Sequence, residues 1–83
     1  MAIKIEMLRC FCAVVEQGSL NDAAQQLART PSAVSMMLKQ FEEHVGAALF
    51  ETARKARLTP LGEMIYSEAR REIDHFGRTV SAI

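Results

Sequence analysis

The stretch SLNDAAQQLARTPSAVSMMLKQFEEHV, Ser19 to Val45, constrains the fold more than any other. It holds two apolar stripes at helical spacing, separated by a break short enough to force a tight turn. Ser19 is a good N-cap, and Asp22 makes a weak capping box because Asp reaches back less well than Glu. Leu20, Ala23, Ala24 and Leu27 then share one side of the first helix. Ala28 and Arg29 form the break. Thr30 caps the second helix and Pro31 takes its first position, where the missing N–H costs nothing. Val34, Met37, Leu38, Phe41 and Val45 are expected to face inward, with Ser32, Ser35, Met36, Lys39, Gln40 and Glu43 on the opposite face.

A short helix, a tight turn and a second helix with small polar residues outside is the helix-turn-helix arrangement. Small residues near the start of the second helix let its backbone approach a base edge or a phosphate, and the helix dipole favours the anionic strand. Taken alone, the segment fits an ordinary pair of packed helices equally well.

Upstream, Ile5, Leu8, Phe11, Cys12 and Val15 form a helical stripe over Ile5 to Gln17, closed by Gly18 in the left-handed region. This helix is expected to pack across the pair as a scaffold. Downstream, Gly46 ends the second helix of the pair. Leu49 and Phe50 enter a short extended segment, and Arg57 to Thr59 are expected to return antiparallel to it. The turn between them, Thr52 to Ala56, has no Gly or Asn, so an irregular wing is expected, with Arg54, Lys55 and Arg57 near its tip. Such a wing is either a solvated loop or, following a helix-turn-helix, a contact to phosphate or the minor groove.

Thr59-Pro60 repeats the cap-then-proline start of Thr30-Pro31, and predicts a last helix from Pro60 to the end, about 36 Å long. Along it Tyr66, Ala69, Ile73, Phe76, Val80 and Ile83 alternate as a heptad seam, between solvated charges such as Arg70, Arg71 and Asp74. A domain this small has little of its own to cover such a seam, so a second subunit is the expected partner. Packing back on the same chain is expected for Leu61 and Ile65.

The chain has 83 residues, one small domain that buries only about 60–65% of its unfolded surface. Its formal net charge is zero, which argues against a generic polyanion binder, yet residues 52–59 hold Arg54, Lys55 and Arg57 and no acid. Cys10 and Cys12 point in different directions from one helix, so free buried thiols are expected. A metal site joining them to His44 or His75 lacks a second close ligand pair, so no metal or cofactor is expected. No signal peptide or membrane span is present, so a cytoplasmic protein is expected. Neither a nucleophile–base–orienter set nor a glycine-rich phosphate loop can be assembled, so an enzyme is not expected.

The stretches LRCFCAVVEQGSLNDAAQQL, TPSAVSMMLKQFEEHVGAALF and RLTPLG, with the long last helix, resemble the N-terminal DNA-binding domain of LysR-type transcriptional regulators. The resemblance covers nearly the whole chain, in family order. It implies a mostly α fold: a winged helix-turn-helix of three helices and a short two-stranded wing over residues 1–59, then a dimerising linker helix over 60–83. It further implies a homodimer on an interrupted palindrome in double-stranded DNA, and a small-molecule inducer sensed by a C-terminal domain absent from this sequence. Carried over by position, base reading falls on Pro31, Ser32, Ser35 and Met36. Backbone contacts fall on Ser19, Thr30, Lys39, Arg54, Lys55 and Arg57. The family usually has Gln-Pro where Pro31-Ser32 stand, polar or basic residues where Met36 and Met37 stand, and Arg where Thr52 stands. Met donates no hydrogen bond to guanine but can touch a thymine methyl, so A·T-biased readout is expected. The alternative is a winged-helix protein-interaction module with little DNA affinity, suggested by the neutral charge and the two methionines.

Overall fold

Helix α1 (Ile5–Gln17) is the hub against which the other helices pack. After it come α2 (Leu20–Leu27), α3 (Pro31–Val45), the strands β1 (Phe50–Glu51) and β2 (Arg54–Leu58), and α4 (Pro60–Ala82). The computed structural model describes residues 4–51 and 54–82, with the side chains of residues 54–56 outside the description.

Because α2 and α3 pack on one side of α1 and α4 on another, α1 is buried over more of its circumference than a single stripe. Met7, Cys10, Phe11, Cys12, Ala13 and Val14 are buried, whereas Ile5, Leu8 and Val15 of the expected stripe are half-buried. Cys10, Ala13 and Val14 meet Ala23, Ala24 and Val34, which joins α1 to the helix-turn-helix pair. Met7, Phe11 and Cys12 meet Phe41, Leu49 and Ala69, joining α1 to the end of α3, the wing and α4. Phe11 is wholly buried at the crossing of these elements. Its ring lies 5.4 Å from Phe41, 5.5 Å from Phe50 and 6.4 Å from Tyr66, centroid to centroid. Burying that side chain contributes about 1.5–3 kcal/mol, before any edge-to-face preference.

The helix boundaries follow from local chemistry. Gly18 (φ 73°) and Gly46 (φ 86°) close α1 and α3 in the left-handed region. The Ser19 hydroxyl accepts from the Asp22 N–H at 3.0 Å, and the Thr30 hydroxyl from the Ala33 N–H at 3.1 Å. Each such cap contributes about 1 kcal/mol. The turn between α2 and α3 is made by Ala28 at φ 57°, a conformation that costs an L-residue roughly 1–2 kcal/mol. The Ala28 and Arg29 N–H groups offset part of that by donating to Gln25 O (3.2 Å) and Ala24 O (2.9 Å), closing the end of α2.

The wing differs from expectation in where its second strand begins. β2 starts at Arg54, not Arg57, and pairs Phe50 with Leu58 and Glu51 with Arg54 across an irregular register. A bulged ladder of this kind takes up extra residues on one strand without a glycine turn. The exit from the wing is tightly tied: the Thr59 N–H donates to Leu49 O at 3.0 Å, and its hydroxyl donates to Ala48 O while accepting from the Gly62 N–H, both at 3.0 Å.

Helix α4 has two halves. Leu61, Ile65, Tyr66 and Ile73 pack against the Phe11 cluster and Ala69 is inside it at 3% exposure. Ala69 is therefore withdrawn from any intersubunit seam, and Tyr66 and Ile73 are half-buried on their own chain, because α4 lies along α1 rather than leaving the body at Pro60. Phe76 (47%) and Val80 (52%) are exposed, and Ile83 lies outside the described residues. No described helix is long and apolar enough to cross a membrane.

Candidate nucleic-acid interface

Thr30 and Pro31 start α3 at the surface, so the first turn of the helix presents its positive dipole end outward, although Pro31 has no N–H and the Ala33 N–H is taken by the Thr30 hydroxyl. Pro31 and Ser32 are exposed in that turn; one turn on, Ser35 is half-buried and Met36 stands 64% exposed, and Lys39 is exposed on the turn after. From Pro31 to Phe41 the helix holds one base, Lys39, and no acid. The first acid, Glu42, is turned aside: its carboxylate accepts from the Leu49 N–H at 2.7 Å in a half-buried position. This bond ties the last turns of α3 to the segment entering the wing, and leaves Glu42 lining the cleft beside Ser35 and Lys39. Ser35 and Lys39 also border an open cleft of about 330 Å³ between α3 and β1, whose wing side is formed by Phe50 and Glu51.

Ser19 and Thr30, expected at the DNA backbone, are both engaged as helix caps. A hydroxyl that accepts an N–H retains its own O–H for donation, so capping and phosphate binding are compatible. Arg57 is exposed, beside Leu58 at the base of the wing and not near its tip, because β2 extends back to Arg54. The backbones of Arg54 and Lys55 lie in β2, nearer the turn, while their side chains lie outside the described residues.

Three arrangements escaped the sequence reading. Glu42 was one more charge at the end of α3, and only the fold brings the Leu49 N–H to it. Arg29, in the turn before α3, donates to Glu6 of α1 at 2.6 Å; both side chains are about 40% exposed, so the pair contributes no more than about 1 kcal/mol. Arg70, expected on a solvated face, donates to Glu16 of α1 at 2.8 Å and to Asp74 at 3.0 Å. The same Glu16 oxygen accepts from the Tyr66 hydroxyl at 2.7 Å. That bond is the main reason the Tyr66 hydroxyl is pushed up to about 12. Glu16 and Asp74 raise Arg70 as well.

Cys10 and Cys12 are free and buried, and burial is the main cause that pushes each thiol up to about 11, so both stay protonated at neutral pH. The Cys10 thiol donates to Val34 O at 3.7 Å. Among the described residues no three His, Cys, Asp or Glu side chains gather as a metal site.

Residues 5–63 match the family described as bacterial regulatory helix-turn-helix protein, lysR family. The HTH-type transcriptional activator AllS of Klebsiella pneumoniae is 41% identical over 66 residues, which is 78% of this chain and 24% of that protein. The RuBisCO operon transcriptional regulator of Allochromatium vinosum is 34% identical over 80 residues, 96% of this chain and 24% of that protein. The chain thus spans about a quarter of the length of these relatives. Among solved structures, the BenM DBD in its complex with catB site 1 DNA superposes with a TM-score of 0.90 at 30% identity, covering 95% of this chain and 86% of that one. The four helices, the antiparallel wing and this match over most of the sequence agree: the chain belongs to the lysR family of bacterial regulatory helix-turn-helix proteins.

Proposed function

We propose that this chain is the sequence-specific, double-stranded-DNA-binding part of a transcriptional regulator, with α3 in the major groove and the wing against the backbone or minor groove. The observation that carries this reading is the outer face of α3, whose first three turns are exposed apart from the half-buried Ser35, small or flexible in side chain, and free of acid. The likeness to the BenM complex with DNA supports it. Pro31, Ser32, Ser35 and Met36 would meet base edges; Ser19, Thr30, Lys39, Arg54, Lys55 and Arg57 would meet the sugar–phosphate backbone. Met36 favours a thymine methyl over guanine, which biases the site to A·T. Two copies joined through Phe76 and Val80 of α4, and through Ile83 beyond the described residues, would read an interrupted palindrome, its half-sites about one helical turn or a multiple of it apart. The regulator would act in the cytoplasm, with an inducer sensed outside these residues and no catalytic step of its own.

A second reading is favoured by the 64% exposure of Met36: an adaptable face for another protein. Salt dependence separates the two. Lys39→Ala and Arg57→Ala are each expected to weaken binding to every duplex and to lower the slope of log K against log salt by about one. Ser35 and Met36 substitutions are expected to change which duplex is preferred and leave the slope unchanged. Equal slopes in the parent and both basic variants would reject the docking of α3 and the wing on phosphates, and no duplex binding at low salt would favour the protein-binding face.

A further inference from the structure

Helix α4 is held to the body at two places. The first is its N-terminus, where Thr59 is bonded to Leu49 and Ala48 and Gly62 sits against the Leu49 backbone. The second is Glu16, at the end of α1, whose Oε2 receives both the Tyr66 hydroxyl (2.7 Å) and the Arg70 guanidinium (2.8 Å). Arg70 is braced in turn by Asp74. Beyond Asp74 every described residue, 75–82, is exposed. The rest of the packing along this half of α4, through Leu61, Ile65, Ala69 and Ile73, is apolar, and apolar packing is not directional. Hydrogen bonds are directional, and two from successive turns of one helix onto one carboxylate oxygen add an orientational constraint that the apolar contacts lack.

We infer that Glu16, acting through Tyr66 and Arg70, is a positioning residue that sets the direction of α4 relative to α3, and so the distance between the two reading helices of a dimer. The inference rests on the DNA-binding reading above. From Thr59 to Val80 is about 30 Å of helix, so a tilt of about 7° moves the free end by about one base-pair step of 3.4 Å. Glu16 and Arg70 are 35% and 38% exposed, a degree at which an ion pair adds little to stability, so variants here fold and the role is geometric.

The test uses spin labels at Glu43→Cys on α3 and Arg78→Cys on α4, both exposed, in the 83-residue chain diluted with unlabelled chain. Cys10 and Cys12 are 2% and 1% exposed and escape labelling. The parent is expected to give one narrow distance distribution, Glu16→Ala one about twice as wide, and Glu16→Gln, which keeps an acceptor oxygen, a narrow one again. On DNA selected by the parent, moving the half-sites by one base pair is expected to cost the parent about tenfold in affinity and Glu16→Ala less than about threefold. Affinity for a single half-site should stay within about twofold of the parent in every variant. An equally narrow distribution in Glu16→Ala, or spacing preference unchanged from the parent, overturns the inference. The distances need no DNA, so a parent chain that binds no duplex rejects the DNA-binding reading while the clamp on α4 is still decided by the labels.

Discussion

Gly62→Ala is expected to destabilise the chain by about 3 kcal/mol and to lower its Tm by roughly 12–24 °C. A Cβ at this position runs into the backbone carbonyl of Leu49 and comes within 3.1 Å of the Leu58 side chain. The carbonyl cannot rotate away, because its oxygen already accepts the Thr59 N–H that holds the wing to α4. A domain of this length has only about 4–12 kcal/mol to lose. Gly77, in the same helix, supplies the control. A Cβ there meets nothing within 4 Å, so Gly77→Ala should raise stability by about 0.5–1 kcal/mol through helix propensity. Thermal unfolding followed by circular dichroism reads both. If Gly62→Ala melts within a few degrees of the parent, α4 and the wing do not approach as described.

The second large effect concerns the free half of α4. Phe76 and Val80 are among the large apolar side chains left exposed, on a helix whose first half is occupied by its own core. The double substitution Phe76→Asp, Val80→Asp is expected to shift the chain to monomer in sedimentation experiments. Affinity for a two-half-site duplex should fall by about 10²–10⁴, because the second half-site loses its effective concentration. Binding to a single half-site should be little changed, since both residues are exposed and neither is among the proposed DNA contacts. A double variant that remains dimeric and binds as tightly as the parent would place the dimer contact elsewhere.

Most of the architecture was legible because each boundary carries its own chemistry. Ser19 and Thr30 cap as expected, Pro31 opens α3, and Gly18 and Gly46 close α1 and α3 where their left-handed φ is needed. The inward faces of α2 and α3 follow from periodicity, because each has one partner side. Periodicity is less informative for α1. A helix between two partners buries Met7, Cys10, Ala13 and Val14 along with Phe11 and Cys12 of the expected stripe, and leaves Ile5, Leu8 and Val15 half-buried, which a single-stripe pattern cannot show. The wing was misjudged for a related reason. No glycine or asparagine marks its turn, and the bulge that lets β2 begin at Arg54 has no signature in one sequence. In α4 the heptad spacing was present, but spacing alone does not say whether Ala69 faces a twin or the chain's own Phe11. At the candidate interface, the exposed placement of Ser32, Met36 and Lys39 was readable from the face opposite the apolar stripe of α3. Glu16, Glu42 and Gly62 were not, since each acts on a group in another segment of the chain that only the fold brings near.

The most direct test of α3 as a reading helix in a two-fold assembly is selection of bound duplexes from a random DNA pool. The expected result is an enriched inverted repeat, A·T-biased, with half-site centres about one helical turn or a whole multiple of it apart, whose preferred bases change in Ser35 and Met36 variants. No enrichment above the starting pool, or an enriched sequence unaltered by substitutions at both Ser35 and Met36, would contradict it.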